Sequence, residues 1–317
     1  MVWNELLAIN LFFAGLGGWT FIFTFLASSN DEKYRKVKLV GTGISIITVG
    51  LGAMILAVDA HGGLLNPNRY FFLLSNLNSV MAWGVIFISL FIIGAVIVWI
   101  MLFKKKNAPV VLEAITAILG LCVSIYTGVL LGTSPAFPLW SLSVLPIAFM
   151  ISAADAGYGT YMLTRHYTKF SLDNAEGTEV KDVEAAKSTE NTEAAKSTEV
   201  QAKAPAISEG GLRKLGIILP ILFAIALAAL LMVVSSVQGD GAIAAKQSIT
   251  NLIYGNAALV FWIGTVIMGV VVPLVVALMP KKNVTPGLNL AKLFCILVGS
   301  FTFRYVIIVA AVPIFIN

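Results

Sequence analysis

The chain has 317 residues, 58% of them apolar and only 12% charged, with a mean hydropathy of +0.91. Soluble domains carry about 25% charged residues, so this polar surface is too small to solvate a globule and lipid is the solvent the composition fits. The formal net charge of +5 does not point to nucleic acid, because the basic residues sit in short stretches between apolar runs, where they report membrane topology.

A helix needs about 20 apolar residues to cross the hydrocarbon layer. Eight runs qualify: Leu6–Ala27, Val37–Val58, Val80–Phe103, Pro109–Leu131, Leu139–Leu163, Leu215–Val237, Leu252–Met279 and Leu288–Phe315. They are too long and too uniformly apolar for the alternating strands of a barrel. The expected fold class is therefore all-α and integral to the membrane. No cleavable signal peptide is expected, because Met1 to Glu5 lacks a basic region and leads straight into a full-length span.

Span 1 carries Asn10 near its start and the small residues Ala14, Gly15, Gly17 and Gly18; span 2 carries Gly41, Gly43, Gly50 and Gly52. Small residues let helices approach closely in lipid. Lys33, Arg35 and Lys36 lie between these spans with Lys38 at the very start of the second, counted with that connection, and Asp59 closes the second. The stretch that follows, with His61, Arg69 and a Tyr70–Leu77 cluster of aromatic and leucine residues, reads as an amphipathic segment over 63–78 lying at the interface. Lys104, Lys105 and Lys106 follow span 3. Glu113 opens span 4, where water is expected to reach it, and Tyr126 lies near that span's end. Span 5 carries Asp155. After it comes a polar stretch, 169–211, with EAAKSTE at Glu184–Glu190 and again at Glu193–Glu199. It has too few large apolar residues to offset its ordering entropy and reads as a cytoplasmic linker, disordered or transiently helical. Spans 6 and 7 contain Pro220 and Pro273, Lys281 and Lys282 follow span 7, and Lys292 and Arg304 lie in span 8.

Seventeen Lys and Arg residues fall in the connections after the odd-numbered spans, and only Arg69 and Lys246 in the opposite ones. The first set is placed in the cytoplasm, with both termini outside. By that orientation Asn10, Asp59 and Tyr126 are outer, Arg304 is central and Asp155 is inner. An ionised group at mid-membrane costs about 3 kcal/mol on insertion scales. Asp59, Arg304 and Asp155 are thus candidates for a proton pathway, the alternative being that Arg304 and one aspartate neutralise each other as a buried pair.

His61 and His166 lie on opposite sides of the membrane, which excludes a bis-histidine haem. Cys122 and Cys295 read as small apolar residues, since an iron–sulfur cluster needs about four thiolates. No phosphate-binding glycine loop and no His/Cys metal motif is present. The chain is expected to carry no haem, iron–sulfur cluster or metal, and no ATPase.

Several segments together resemble the NrfD/PsrC family, the membrane subunits of polysulfide reductase-like respiratory complexes. They are Asp59, Gly62, Arg69 and Ser79-Val80-Met81-Ala82-Trp83-Gly84; Tyr126-Thr127-Gly128-Val129-Leu130-Leu131-Gly132 with Pro138-Leu139-Trp140 and Leu145-Pro146; Phe261-Trp262 with Gly269 and Pro273; and Gly299 with Arg304-Tyr305. The resemblance spans the chain except the linker. It implies two four-helix bundles, 1–135 and then 136–168 with 212–317. It implies a menaquinol or ubiquinol site near the outer face, beneath a four-cluster iron–sulfur subunit that exchanges electrons with a catalytic subunit, commonly a molybdopterin enzyme. By the same resemblance Tyr126 hydrogen-bonds a quinone carbonyl, and Asn10 stands where some members place a histidine. An amide does not titrate, so Asn10 suits headgroup contact but not proton acceptance, and Asp59 is the candidate acceptor. His61 and Arg69, on the outer side, are candidates for partner docking. Two rivals are carried: a secondary transporter, which inverted repeats and broken midplane helices would favour, and a purely structural anchor.

Overall fold

The computed structural model describes residues 5–28, 32–59, 75–141, 143–168, 207–280 and 283–314. Among them the only regular structure is helical. In chain order the helices are α1 (Glu5–Leu26), α2 (Glu32–Asp59), α3 (Val80–Phe103), α4 (Val110–Gly132), α5 (Val144–Tyr167), α6 (Glu209–Ser235), the short α7 (Ala242–Ile253), a π-helical segment (Val260–Val271) continuing into α8 (Val272–Leu278), and α9 (Pro286–Val309). Seven of the resulting rods are long and apolar enough to cross a membrane.

The remaining long helix, α5, has the length but not the apolarity. Its physical surroundings explain this. Fifteen of its 24 residues are buried, among them Ser152, Asp155, Thr160, Thr164 and Arg165. It packs against α1, α4, α6 and α9, so its polar side chains face protein rather than lipid. By contrast α3 turns Leu90, Ile93, Ile97 and Ile100 outward as one exposed stripe and buries Ile88, Phe91, Ala95 and Val98 on the opposite face. The apolar outside and polar inside are the arrangement lipid imposes.

α1 packs against α2 and α4, and α4 against α3; the π segment and α8 contact each other and both α6 and α9, and α6 and α9 each contact α5. α1 and α5 join these two groups. The contacts depend on missing side chains: a Cβ on Gly18 would meet the backbone of Gly120, and a Cβ on Gly299 would meet that of Gly269.

Several boundaries differ from those expected of the sequence. α2 starts at Glu32, so Lys33 to Lys38 belong to a helix and not to a loop. α5 starts at Val144, five residues later than expected, because 133–141 fold as turns around Pro138, with Trp140 buried and its indole donating to the Ile307 carbonyl at 2.8 Å. The stretch expected to start span 7 holds the end of a separate helix, α7. Its Ser248 hydroxyl accepts from the Val312 amide at 2.9 Å and so ties it to the C-terminal segment. The π winding leads into Pro273, which lacks an amide hydrogen and crowds the carbonyl four residues back; the Val272 amide correspondingly bonds Ile267, five residues back. α6 begins at Glu209, inside the stretch expected to be linker, with Ser208 capping the Gly211 amide at 3.2 Å. Residues 169–206 of that linker and 63–74 of the amphipathic segment lie outside the described residues.

Candidate functional site

Glycine contacts fix how the helices are offset. Gly15 lies against Ala153 and Gly157 against Trp19, so α1 and α5 run side by side in the same direction. Gly18 lies against Gly120, and the Trp19 indole donates to the Ser124 hydroxyl at 3.1 Å. α4 is adjacent to both helices and runs antiparallel to them, as its Gly128–Pro146 contact with the start of α5 requires. Asn10 then lies eight residues from Gly18 and Tyr126 six residues from Gly120, toward the same end of the molecule. At 1.5 Å per residue the two share a level to within about 3 Å.

Both side chains are buried, Asn10 to 3% and Tyr126 to 5% exposure. The Asn10 Oδ1 atom has no hydrogen-bond partner among the described residues. Buried polar groups in native proteins are nearly always satisfied, and the open Asn10 Oδ1 at the level of the Tyr126 phenol is what a polar ligand headgroup needs. Gly52 of α2 abuts Asn10, and Asp59 closes α2 seven residues farther toward the same end, about 10 Å beyond. The Asp59 side chain, His61 and Arg69 lie outside the described residues.

A second polar group lies deeper, between α5 and α9. Arg304 is fully buried. Its Nη1 donates to Ser152 Oγ at 3.0 Å, Ser300 O at 2.9 Å and Ser300 Oγ at 2.8 Å, and its Nη2 donates to the Phe149 carbonyl at 3.1 Å. The guanidinium lies 5.2 Å from the Phe149 ring centroid, and Gly15 leaves it room. No carboxylate among the described residues pairs with it, so the expected Arg304–aspartate pair does not form with Asp155; neutral oxygens take its place. Asp155 sits one helical turn from Ser152, fully buried, with Oδ1 unpartnered. The cation that acts on it electrostatically is Lys292 of α9, itself 8% exposed. Asp155 and Arg304 are therefore brought to one interface. Lys292, Ser152 and Ser300 were not among the residues expected at a site. Lys292 was legible as a charge inside an apolar run; the serines carried no signal.

At the far end of the molecule, Lys38 of α2 and Glu113 of α4 form an ion pair at 2.6 Å, with 3% exposure on each side chain. This corrects the expectation that water reaches Glu113: Lys38 belongs to α2 and is buried with it inside the protein. At the same end Arg165 pairs in a fork with Glu209, at 2.6 and 3.1 Å, and the Tyr161 hydroxyl donates to the Ala27 carbonyl at 2.9 Å. Among the described residues no three His, Cys, Asp or Glu side chains gather as a metal site would require.

The sequence matches the family described as "Polysulphide reductase, NrfD" over residues 1–187 and 200–316. It is similar to the C subunit of polysulfide reductase from Wolinella succinogenes, 25% identical over 337 residues that cover 98% of this protein and 94% of that one. It is also similar to the NrfD homolog of Haemophilus influenzae, 22% identical over 340 residues with the same coverage of 98% and 94%. The match takes in the helices that carry Asn10, Tyr126, Asp155 and Arg304, and the chain belongs to the NrfD polysulphide reductase family.

Proposed function

We propose that this protein is the quinone-binding membrane subunit of a multisubunit respiratory oxidoreductase. The observation that carries the proposal is the buried, unpartnered Asn10 Oδ1 held at one level with the buried Tyr126 side chain on two packed helices. A quinone site needs an apolar cleft with a few convergent polar groups, and hydrogen bonds from the Tyr126 hydroxyl and the Asn10 amide suit the two ends of that requirement. Oxidation of a quinol yields a quinone, two electrons and two protons. The electrons pass to an iron–sulfur subunit with four clusters and on to a catalytic subunit, molybdopterin-dependent in complexes of this type; in the reverse direction the same balance reduces a quinone. The Wolinella relative is named as one component of a reductase, which supports membership of such an assembly.

In this reading eight helices span the cytoplasmic membrane as two four-helix bundles, α1–α4 and α5–α9 with α7 lying at the surface. α5 is the eighth span, shielded from lipid by its neighbours. Lysine and arginine gather at the Lys38 end, which is placed in the cytoplasm. Both termini and the Asn10 level then face outward, where His61 and Arg69 serve partner docking and Asp59 receives a quinol proton. Asp155 and Arg304 extend the polar route inward and supply a path for proton translocation.

Tyr126→Phe removes the hydroxyl and little else. Quinol-linked turnover of the purified complex is expected to fall at least about tenfold, the equivalent of 1.4 kcal/mol, while the subunits still copurify. Full quinol-linked turnover in that variant would refute the assignment.

A further inference from the structure

Several close glycine contacts in this protein admit another backbone: Gly18 meets Gly120, Gly128 meets Pro146, and Gly299 meets Gly269. Others meet the polar ends of side chains, and two of these, Gly52 and Gly84, meet the candidate site residues themselves. A Cβ on Gly52 would lie 3.2 Å from Asn10 Oδ1, besides meeting the Asn10 carbonyl at 3.2 Å and the Ala14 amide at 3.3 Å. A Cβ on Gly84 would overlap the Tyr126 ring at its hydroxyl-bearing carbon and the hydroxyl itself. The four residues come one each from α1 (Asn10), α2 (Gly52), α3 (Gly84) and α4 (Tyr126).

We propose that Gly52 and Gly84 are positioning residues that aim the Asn10 amide and the Tyr126 hydroxyl at the oxygens of the bound quinone, an inference that rests on the quinone reading above. The geometry explains how. The oxygen and nitrogen of a planar amide diverge from one carbon, so seating Oδ1 against the bare Cα of Gly52 fixes where the N–H groups point. The seat offers Oδ1 no hydrogen-bond donor, and the atom has none from any other described residue. Its position is set by shape and not by a competing bond. For Tyr126, a side chain at position 84 would swing the phenol ring, which carries its hydroxyl about 6 Å from the Cα, and so move the donor most where it matters. Each glycine acts through its partner and touches no substrate itself. Gly50, on the same helix as Gly52, has no atom within 4 Å of where its Cβ would stand and serves as the internal control.

The test uses the full-length protein in lipid nanodiscs and the fluorescent quinol analogue 2-heptyl-4-hydroxyquinoline N-oxide as probe. Gly52→Ala requires neighbours to yield by only a few tenths of an ångström and carries the experiment; Gly84→Ala is the more severe companion. Gly52→Ala is expected to weaken probe binding by about five- to tenfold, the range of one lost hydrogen bond, and Gly50→Ala to leave it unchanged. The same Gly52→Ala change made on top of Asn10→Ala is expected to add less than about twofold, because coupled residues are not additive. Equal weakening in both backgrounds, or wild-type binding by Gly52→Ala and Gly84→Ala, overturns the positioning role. If Asn10→Ala and Tyr126→Phe both bind the probe like the wild type, it is the quinone reading that fails.

Discussion

Two of the buried groups of ionisable residues among those described are built in opposite ways. Lys38 and Glu113 close on each other at 2.6 Å; each charge has its counterpart and the pair ties α2 to α4. Between α5 and α9, Asp155, Lys292 and Arg304 share one interface, yet Asp155 Oδ1 and Arg304 Nε have no partner among the described residues and the guanidinium is held by serine and carbonyl oxygens. A closed pair resists both loss and gain of a proton. An open group with spare hydrogen-bonding capacity can exchange one. The difference teaches that burial of charge alone does not mark function in a membrane bundle; the state of the partners does.

Breaking the closed pair is expected to have the largest effect. Lys38→Met or Glu113→Gln leaves one uncompensated charge in the interior and should cost about 3–5 kcal/mol, read as a lowered Tm and poor yield in detergent. The double substitution should recover most of the loss. If the single variants melt like the wild type, the two sites are not the contrast drawn above. Arg304→Leu comes next. It strips donors from Ser152, Ser300 and the Phe149 carbonyl and should cost about 2–3 kcal/mol, measured in the same melts.

Asp155→Asn sharpens the comparison from the other side. With no bond to Oδ1 to lose, its cost should be only about 1 kcal/mol, well below that of Glu113→Gln. Its effect should fall on proton uptake by vesicles bearing the complex, with quinol-linked electron transfer retained. A loss of stability as large as that of Glu113→Gln would show that Asp155 is a structural charge after all. The smallest effect is expected outside both groups. Arg165 and Glu209 clasp the ends of α5 and α6, and the Ile207 amide bonds the Leu26 carbonyl at 2.9 Å. Replacing 169–206 by about ten Gly and Ser residues should therefore shift stability by less than about 1 kcal/mol, since closure entropy varies only slowly with loop length. Failure of that variant to assemble would give the segment a role of its own.

The candidate site was partly legible in the sequence. Asn10, Asp155 and Arg304 stood out because polar side chains inside apolar runs are costly, and Tyr126 because it opens a Tyr-Thr-Gly run that carries part of the family resemblance. What stayed hidden has a common cause. Ser152 and Ser300 are unremarkable in a membrane helix, where a hydroxyl usually bonds its own backbone; only the crossing of α5 and α9 brings Ser152 to Arg304, which meets Ser300 one turn back on its own helix. Glu113 and Lys38 each sit near the end of an apolar run, where water is the natural guess. Gly52 and Gly84 are two glycines among 27, and nothing in the linear order of residues distinguishes one that admits a backbone from one that seats an amide or a phenol.

By itself the sequence determined the solvent, the helices and the end at which lysine gathers, because these follow from apolar length and charge count along one dimension. Tertiary structure alone decided which polar groups found partners. That outcome depends on the offset between neighbouring helices, which glycine contacts set to within a turn. A shift of one turn, about 5.4 Å, would separate Lys38 from Glu113 and part Asn10 from the level of Tyr126.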